Sequence, residues 1–472
     1  MRTQATYDDL LASLRRIGQE QVLTLWKSLN AGEQGELAAD IAALNLAELP
    51  SLARLAVEPG ASHAAQALLP ANVQSRSSLN PAAVEQGRTL LAAGKVAAFT
   101  VAGGQGTRLG YDGPKGAFCI SPVRNKPLFQ LFAESILATN RRYGCRAPWY
   151  IMTSPVNDAA TRQFFHDHTN FGLPFGDIIF FQQGVMPAFD RAGRILLDQK
   201  HRLALSPDGH GGSLLALRTS GMLDHMAHRG IKHISYFQVD NPLVACLDPA
   251  FVGFHDLAGS EMSSKTLPKA DDLERVGNFA MRDGKMLVIE YSDLPESQAR
   301  SRNADGTRTF DAANIAVHLL SREFVERLTS DPESFALPWH RAEKKVPFVD
   351  LTTGTRVEPA APNGVKLEAF VFDALPLAKN PLLLETSRGE EFSPVKNATG
   401  VDSVATARRD MSRRAARWLE YAGWKIPRQS DGEPDGVFEI SPLAALDAEE
   451  LATRYRSPKA VRPGETVFLD GE

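Results

Sequence analysis

The chain has 472 residues, of which 43% are apolar and 23% charged, and its formal net charge at pH 7 is −4. This length allows two or three domains around a large core, and the balanced charge indicates binding to neither nucleic acid nor a membrane surface. Its three cysteines, Cys119, Cys145 and Cys246, are too few and too far apart for a disulfide framework or a zinc site. We see no membrane-spanning run and no signal-peptide core, so we expect a cytoplasmic protein.

The first 93 residues have the spacing of helices. In "YDDLLASLRRIGQEQVLTLWKSL" and "GELAADIAALNLAEL", apolar residues recur three and four positions apart, which is typical of helices with one buried face. Asn80, Pro81 and Gly94 then mark the start and the end of one more helix in "NPAAVEQGRTLLAAG". We therefore expect a helical N-terminal region at residues 1–93.

Between residues 94 and 390, predicted strands alternate with predicted helices. The apolar runs in "KVAAFTVAG", "APWYIMTS", "DIIFFQQG" and "IKHISYFQVDNP" are typical of buried strands. The intervening "NKPLFQLFAESILATNRRYG" and "GGSLLALRTSGMLDHMAHRG" each have the spacing of a helix. This order predicts an α/β fold with a Rossmann-like, mostly parallel central sheet flanked by helices. Residues 391–472, with a helix in "ATARRDMSRRAARWLEYAG", are predicted to form a small C-terminal domain.

Glycines and polar residues follow the ends of the predicted strands, which is where parallel sheets bind their ligands. These strand-end residues are Gly103, Gly104, Thr153, Ser154, Gln182, Gln183, Asp240, Asn241 and Glu290. Because the carboxyl ends of parallel strands meet at one edge, we expect the binding site at this edge.

The stretch "VAGGQGTRLGYDGPKG" follows the first predicted strand and contains six glycines. Its spacing matches neither the P-loop nor the dinucleotide fingerprint, which requires a glycine where Leu109 stands. Adjacent glycines allow backbone N–H groups to approach an anion, and Arg108 and Lys115 add positive charge. The loop therefore predicts phosphate binding, with a glycine-rich turn and two solvated cations as the alternative.

The segment "GGQGTRLGYDGPKG" resembles the signature of sugar nucleotidyltransferases, whose GGxGTRL loop and following Pro-Lys wrap a nucleotide triphosphate. The resemblance is closest to the UDPGP-type uridylyltransferases, in particular the branch of the UDP-N-acetylglucosamine pyrophosphorylases. It continues through "QEQVLTLWKSL", "PWYIMTS", "FFQQGVMPA", "SPDGHGG", "VDNP", "VIEYSDL", "NIAVH", "PNGVKLEAFVFD" and "EEFSPVKNA". It implies a fold of the nucleotidyltransferase type and an enzyme that forms a UDP-sugar and pyrophosphate from UTP and a sugar 1-phosphate, with N-acetylglucosamine 1-phosphate as the expected sugar substrate.

The resemblance also implies the roles of individual residues. Arg108, Lys115 and Lys396 are implied to be the catalytic cations, and Lys366 is implied to lie near the nucleotide phosphates. The residues implied to bind uracil or the sugar are Gly103, Gly104, Gln183, Gly209, His210, Gly277, Glu290, Tyr291 and Asn314. No general base is expected, because the attacking phosphate oxygen is already an anion.

Asp240, at the end of the strand in "VDNP", is the expected metal ligand and thereby a substrate-binding residue. A carboxylate is a hard ligand that suits Mg²⁺, and Mn²⁺ is an alternative ion. A turn residue before Pro242 is the structural alternative.

Two departures from the N-acetylglucosamine branch leave the sugar open. That branch has asparagine at the position of His210, whereas the glucose-specific relatives have histidine, and the residues after Gly277 also differ. Glucose, galactose and N-acetylgalactosamine 1-phosphate are therefore alternative substrates. A non-catalytic nucleotide-sugar sensor is the alternative from another class, and a nicotinamide-dependent oxidoreductase is disfavoured by the failed fingerprint. The sequence does not decide between a monomer and a homo-oligomer.

Overall fold

The computed structural model describes residues 6–58, 68–331, 335, 337–457 and 459–471. Its α-helices are α1 (Tyr7–Arg15), α2 (Ala31–Ala42), α3 (Leu49–Val57), α4 (Pro81–Ala92), α5 (Leu128–Tyr143), α6 (Asp158–Asp167), α7 (Gly212–Thr219), α8 (Met222–His228), α9 (Pro249–Leu257), α10 (Glu296–Ala299), α11 (Arg322–Leu328), α12 (Arg388–Glu391), α13 (Val404–Tyr421) and α14 (Ala448–Arg454). Within these described ranges, no helix has both the length and the apolar character needed to cross a membrane.

The strands are mostly short. They are β1 (Leu69–Pro70), β2 (Val96–Val101), β3 (Trp149–Thr153), β4 (Ile178–Gln182), β5 (Val185–Pro187), β6 (Phe189–Asp190), β7 (Leu197–Gln199), β8 (Arg202–Leu203), β9 (Leu205–Pro207), β10 (His233–Gln238), β11 (Met262–Pro268), β12 (Asn278–Arg282), β13 (Lys285–Ile289), β14 (Ala312–Ser321), β15 (Trp339–Lys344), β16 (Phe348–Val349), β17 (Arg356–Val357), β18 (Gly364–Ala369), β19 (Leu382–Glu385), β20 (Gly436–Ile440) and β21 (Glu465–Leu469).

The chain forms two compact units, and neither is continuous in sequence. Unit 1 comprises Met1–His63, Gln183–Ser213 and Ala336–Asp373, and unit 2 comprises Ala64–Gln182, Leu214–Phe335 and Ala374–Glu472. This grouping by contact differs from the sequence-ordered regions 1–93, 94–390 and 391–472, since residues far apart in the chain share one core.

Unit 2 contains a ten-stranded sheet whose main path has the order β1-β12-β14-β10-β2-β3-β4. Parallel ladders join β10, β2, β3 and β4, and the carboxyl ends of these four strands therefore lie at the same edge. The strands beyond β10 add antiparallel ladders, beginning with β14. The predicted α/β fold with a Rossmann-like central sheet is confirmed, and the sequence did not reveal the antiparallel strands.

The apolar residues predicted to lie in strands and helices form the core of this sheet. Phe129 and Phe132 of α5 pack with Trp149 of β3 and Phe237 of β10 in one buried cluster. Helix α4 begins at Pro81 as predicted, because the Asn80 side chain accepts the N–H of Ala82 at 2.9 Å.

Two predicted helices are shorter than expected. The segment "GGSLLALRTSGMLDHMAHRG" forms α7 and α8 instead of one helix, because Gly221 has a left-handed φ of 76° that ends the helical path. The N-terminal segment is α-helical only to Arg15, and short 3₁₀ turns at Glu20–Leu23 and Trp26–Ser28 replace its continuation.

Unit 1 joins the first three helices to strands from two later parts of the chain. Leu14 and Leu37 of the helices share one buried cluster with Phe189 of β6 and Leu367 of β18. Strand β18 is the centre of a three-stranded antiparallel sheet with β15 and β6. The N-terminal helices therefore form part of a mixed core.

Candidate active site

In unit 2, the backbone after β2 is fixed by polar side chains that follow β3. Ser154 Oγ donates a hydrogen bond to the carbonyl of Gly103 at 2.8 Å, and Asn157 Nδ2 donates to the carbonyls of Ala102 and Gly104 at 2.8 and 3.3 Å. A Cβ atom at Gly104 would have no described heavy atom within 4 Å outside its chain neighbours. The backbone of the glycine loop is therefore held from one side and open on the other, as a ligand-binding loop requires.

Lys115 and Asp240 bring opposite charges together at the carboxyl edge of the sheet. The N–H of Lys115 donates to the carbonyl of Gly104 at 3.1 Å, which closes the glycine loop. Lys115 Nζ lies 3.3 Å from Asp240 Oδ2, and these side chains are only 16% and 14% exposed. The loop after β2 and the end of β10 thus place a cation beside a carboxylate. The pair lies at the carboxyl edge of the sheet, where the sequence predicts ligand binding.

The segment of Lys396 is hydrogen-bonded to both of these loops. The N–H of Val395 donates to the carbonyl of Asp240 at 2.8 Å, and the N–H of Ala398 donates to the carbonyl of Arg108 at 3.1 Å. The segment of Lys396 therefore contacts both the glycine loop, which contains Arg108 and Lys115, and the turn that contains Asp240.

The side chains of the outer two cations are accessible. Lys396 Nζ lies 3.3 Å from Asp402 Oδ2, and the Lys396 side chain is 41% exposed. Arg108 is exposed. Lys396 is held by a surface ion pair, and such pairs are weak, so its ammonium can exchange Asp402 for a bound anion.

Asn241 connects the strand end to the Lys396 segment, whereas the sequence predicted it only as one of the strand-end residues at the binding edge. Its Nδ2 donates to the carbonyl of Glu391 at 2.7 Å, and its Oδ1 accepts the N–H groups of Ser393 at 3.2 Å and Leu243 at 3.3 Å. The only sequence signal is its position at the predicted strand end beside Asp240, because Glu391 and Ser393 lie about 150 residues further along the chain.

Three of the predicted sugar-binding residues also come together in unit 2. The N–H of Asn314 donates to the carbonyl of Gly277 at 2.8 Å. A Cβ atom at Gly277 would lie 2.6 Å from Val288 Cγ1 and 3.2 Å from Glu290 Oε1, so glycine at this position leaves room for both side chains. Asn314 lies near the start of β14, which is antiparallel to β10, so this cluster lies at the edge where β10 ends. Tyr291, next to Glu290, is 48% exposed.

The other predicted residues lie in unit 1. Gly209 has a left-handed φ of 86°, and a Cβ atom there would overlap the Ala369 backbone, so the "PDGHGG" loop requires glycine. The N–H of Val371 donates to His210 Nδ1 at 3.2 Å, so the other ring nitrogen of neutral His210 bears the proton. The imidazole stacks on Phe370 with the ring centroids 5.1 Å apart.

Gln183 and Lys366 are both shielded from solvent. Gln183 is buried, and Lys366 projects from β18, where burial lowers the pKa of its ammonium and Glu368 partly opposes this change. A bound anion would stabilise the charged form of such a lysine, because the anion compensates the charge that burial has desolvated.

The residues around Asp240 fit a magnesium ion better than a metal held by protein ligands alone. The described part of the chain contains no group of three or more His, Cys, Asp or Glu side chains arranged to hold a metal. Mg²⁺ typically takes one or two carboxylates and completes its shell with phosphate oxygens and water, whereas structural zinc needs four protein ligands. The donor chemistry of Asp240 therefore fits Mg²⁺ that arrives with a phosphate substrate.

An open glycine loop beside Lys115 and Asp240, at the carboxyl edge of a Rossmann-like sheet, is an arrangement suited to a nucleotide and its phosphates. A family model described as UTP–glucose-1-phosphate uridylyltransferase matches residues 61–412. The chain belongs to this family of uridylyltransferases and is an enzyme that transfers the uridylyl group of UTP to a sugar 1-phosphate.

Three relatives illustrate the similarity. The chain is 36% identical to a human UDP-N-acetylhexosamine pyrophosphorylase-like protein 1, over 95% of this chain and 94% of the relative. It is 36% identical to the UDP-N-acetylglucosamine pyrophosphorylase of Saccharomyces cerevisiae, over 92% and 94% of the two chains. The solved structure of the Trypanosoma brucei uridine diphosphate N-acetylglucosamine pyrophosphorylase with an inhibitor superposes with a TM-score of 0.83 at 27% identity, covering 100% of this chain and 99% of that one.

We expect Asn241→Asp to lower kcat about tenfold to a hundredfold, because small displacements of catalytic groups cost that much. The new carboxylate cannot donate to the Glu391 carbonyl, so the Lys396 segment loses its link to the Asp240 turn. The matched control is Asn140→Asp on α5, where the Asn140 amide oxygen accepts the N–H of Ala147 at 2.9 Å away from these loops. Steady-state kinetics that show equal losses in both variants contradict the positioning role.

Proposed function

We propose that this enzyme forms UDP-N-acetylglucosamine and pyrophosphate from UTP and N-acetylglucosamine 1-phosphate. The observation that supports this most is the connected set of segments in unit 2 that holds Arg108, Lys115, Asp240 and Lys396. The names of the yeast and trypanosome relatives support the choice of sugar.

Charge compensation explains why the reaction needs these groups. UTP and a sugar 1-phosphate together bear about six negative charges at neutral pH, so their approach is strongly repulsive without cations. We assign the triphosphate and the leaving pyrophosphate to Arg108 and Lys115, and the sugar phosphate to Lys396. Lys366 is assigned to the nucleotide phosphates. The sugar phosphate oxygen attacks the α-phosphorus of UTP, and the bond to the pyrophosphate oxygen breaks.

Asp240 is the residue that would hold Mg²⁺, or Mn²⁺ in its place. A bound ion would offset phosphate charge and fix the orientation of phosphate oxygens. Lys115 Nζ, 3.3 Å from the same carboxylate, compensates the charge of Asp240 and would turn to the phosphates as they bind.

Base and sugar selection is assigned to hydrogen-bonding groups with fixed directions. The Gln183 amide both donates and accepts, which matches the imide edge of uracil, and the Gly103 and Gly104 backbone adds donors. Glu290 and Asn314 accept from and donate to sugar hydroxyls, and Gly277 leaves the space beside them. Gly209, His210 and Tyr291 complete the set proposed for the sugar.

A second candidate is the same reaction with glucose 1-phosphate. His210 favours it, because the glucose-specific relatives have histidine at this position, whereas the N-acetylglucosamine branch has asparagine. Galactose 1-phosphate and N-acetylgalactosamine 1-phosphate are the remaining alternative substrates, and the same experiment tests them.

The test is pyrophosphate release from UTP with each of these four sugar 1-phosphates, with Mg²⁺ and with excess EDTA. We expect the highest kcat/KM for N-acetylglucosamine 1-phosphate, and we expect EDTA to stop release until Mg²⁺ or Mn²⁺ is restored. Preference for glucose 1-phosphate would replace the sugar assignment. Undiminished release in EDTA would contradict the metal assignment, and binding of UDP-sugar without release from any substrate would favour a sensor.

A further inference from the structure

Asp208 connects two substrate-binding segments of unit 1 through its backbone. Its N–H donates to the carbonyl of Gly184 at 3.3 Å, and its carbonyl accepts the N–H of Ala369 at 2.9 Å. Gly184 follows Gln183 directly, and Asp208 precedes Gly209 and His210. The residue therefore lies between the segment assigned to uracil and the loop assigned to the sugar.

The Asp208 side chain fills a space that two glycines leave for it. A Cβ atom at Gly184 or at Gly212 would overlap the Asp208 carboxyl group. The residue is 8% exposed, and its Oδ1 has no hydrogen-bond partner among the described residues. The carboxyl group thus packs directly against the Gln183–Gly184 segment and the start of α7.

The surroundings of Asp208 favour its neutral form. The titratable side chains on the segments packed against it are His210 on its own loop and Lys366 and Glu368 on β18, whereas Gly184, Gly212 and Ser213 have none. His210 Nδ1 already accepts the N–H of Val371. A buried carboxylate whose Oδ1 has no hydrogen-bond partner among the described residues is costly. Burial raises the pKa of Asp208 to about 7, although a hydrogen bond from its own backbone opposes the rise.

We propose that Asp208 is a positioning residue that acts as a neutral carboxylic acid and holds the Gln183–Gly184 segment against the Gly209–Gly212 loop. Ionisation places an uncompensated charge between the two segments and loosens both, so uridine nucleotides bind more weakly. The inference rests on the proposed roles of Gln183 and His210.

The direction of the pH effect follows from the raised pKa. The protonated fraction of folded Asp208 falls from roughly nine-tenths at pH 6 to roughly one-tenth at pH 8 for a pKa of about 7. UTP affinity should therefore fall as pH rises through this range. In the unfolded chain the group ionises near pH 4, so its contribution to folding stability is complete below about pH 4 and declines up to about pH 7.

The test compares wild type with Asp208→Asn, which has the same shape and cannot ionise. We expect the ratio of kcat/KM for UTP, variant over wild type, to rise about tenfold from pH 6 to pH 8. Using the ratio cancels the titration of UTP itself. The control is Asp198→Asn on β7, where an exposed carboxylate pairs with Arg356, and its ratio should stay constant.

Titration calorimetry of UTP binding at the same pH values gives a readout that needs no turnover. A UTP affinity of Asp208→Asn relative to wild type that rises about tenfold from pH 6 to pH 8 supports the inference even if no pyrophosphate is released, in which case only the proposed function fails. A ratio of the two affinities that is constant between pH 6 and pH 8 overturns the inference, because the ratio again cancels the titration of UTP. Loss of UTP binding in a folded variant, judged by its thermal transition, overturns it as well.

Discussion

Lys115→Ala is expected to lower kcat for pyrophosphate release about a hundredfold to a thousandfold, the usual cost of removing one preorganised group that stabilises transition-state charge. Lys115 is the cation of the glycine loop whose Nζ lies beside Asp240, and its stem is largely buried. We propose that its charge lies beside the leaving pyrophosphate, where negative charge increases in the transition state. We expect kcat to fall by a larger factor than the factor by which KM for UTP rises, because the charge on the leaving group increases in the transition state.

Lys379→Ala is the matched control for this variant. Lys379 is in the same unit, its side chain is 78% exposed, and its Nζ lies 4.0 Å from Glu261 Oε1. We expect its kinetics to match those of wild type. Unchanged turnover in Lys115→Ala, with an unchanged thermal transition, would show that the glycine-loop lysine is not part of the reaction.

Lys265→Met is expected to destabilise the enzyme by about 3–5 kcal/mol, because removing one partner of a buried ionic network leaves its other charges uncompensated. Lys265 is fully buried on β11, and its Nζ contacts Glu391 and lies 2.8 Å from Asp248 Oδ2. Arg76 adds a second cation at 2.6 Å from Asp248. These cations hold the pKa of the Asp248 carboxyl well below its usual range.

This network also supports the active-site loops. Glu391 accepts from Thr386 Oγ1 at 2.9 Å through its side chain and from Asn241 Nδ2 at 2.7 Å through its carbonyl, five residues before Lys396. We therefore expect Lys265→Met to lower kcat as well, even at temperatures where the variant is folded.

Differential scanning calorimetry checks the stability change, and Lys379→Met is its control. We expect a fall in Tm of about 3–5 °C for Lys265→Met, since the entropy of unfolding of a chain of this length is about 1 kcal/mol/K, and no measurable change for the control. A transition within 1 °C of wild type would mean that the two buried carboxylates are satisfied without Lys265.

Local sequence patterns predicted the elements that depend on nearby residues. The apolar runs that became β2, β3, β4 and β10 are continuous in the chain, and the glycine loop follows directly after β2. The break at Gly221 was missed because its left-handed conformation depends on the chain direction after α7, whereas the apolar spacing continues across it.

Long-range pairing explains most of what the sequence did not show. Phe189 and Leu367 join the core of the N-terminal helices although they lie more than a hundred residues away in the chain. The link between Asn241 and Glu391 and the fit of Asp208 against Gly184 and Gly212 are likewise tertiary contacts. The spacing of apolar residues along the chain does not predict such contacts. The resemblance to a family identified candidate site residues but not the residues that position them.

The most direct test of the central claim is an experimental structure of the enzyme with UTP and Mg²⁺ bound. The claim is that cations from separate segments of unit 2 act together on the substrate phosphates. We expect Lys115 Nζ within about 3 Å of a triphosphate oxygen and Asp240 bound to the metal ion. A triphosphate bound elsewhere, with the Lys115 Nζ still paired to Asp240 at 3.3 Å and no metal at that carboxylate, would contradict it.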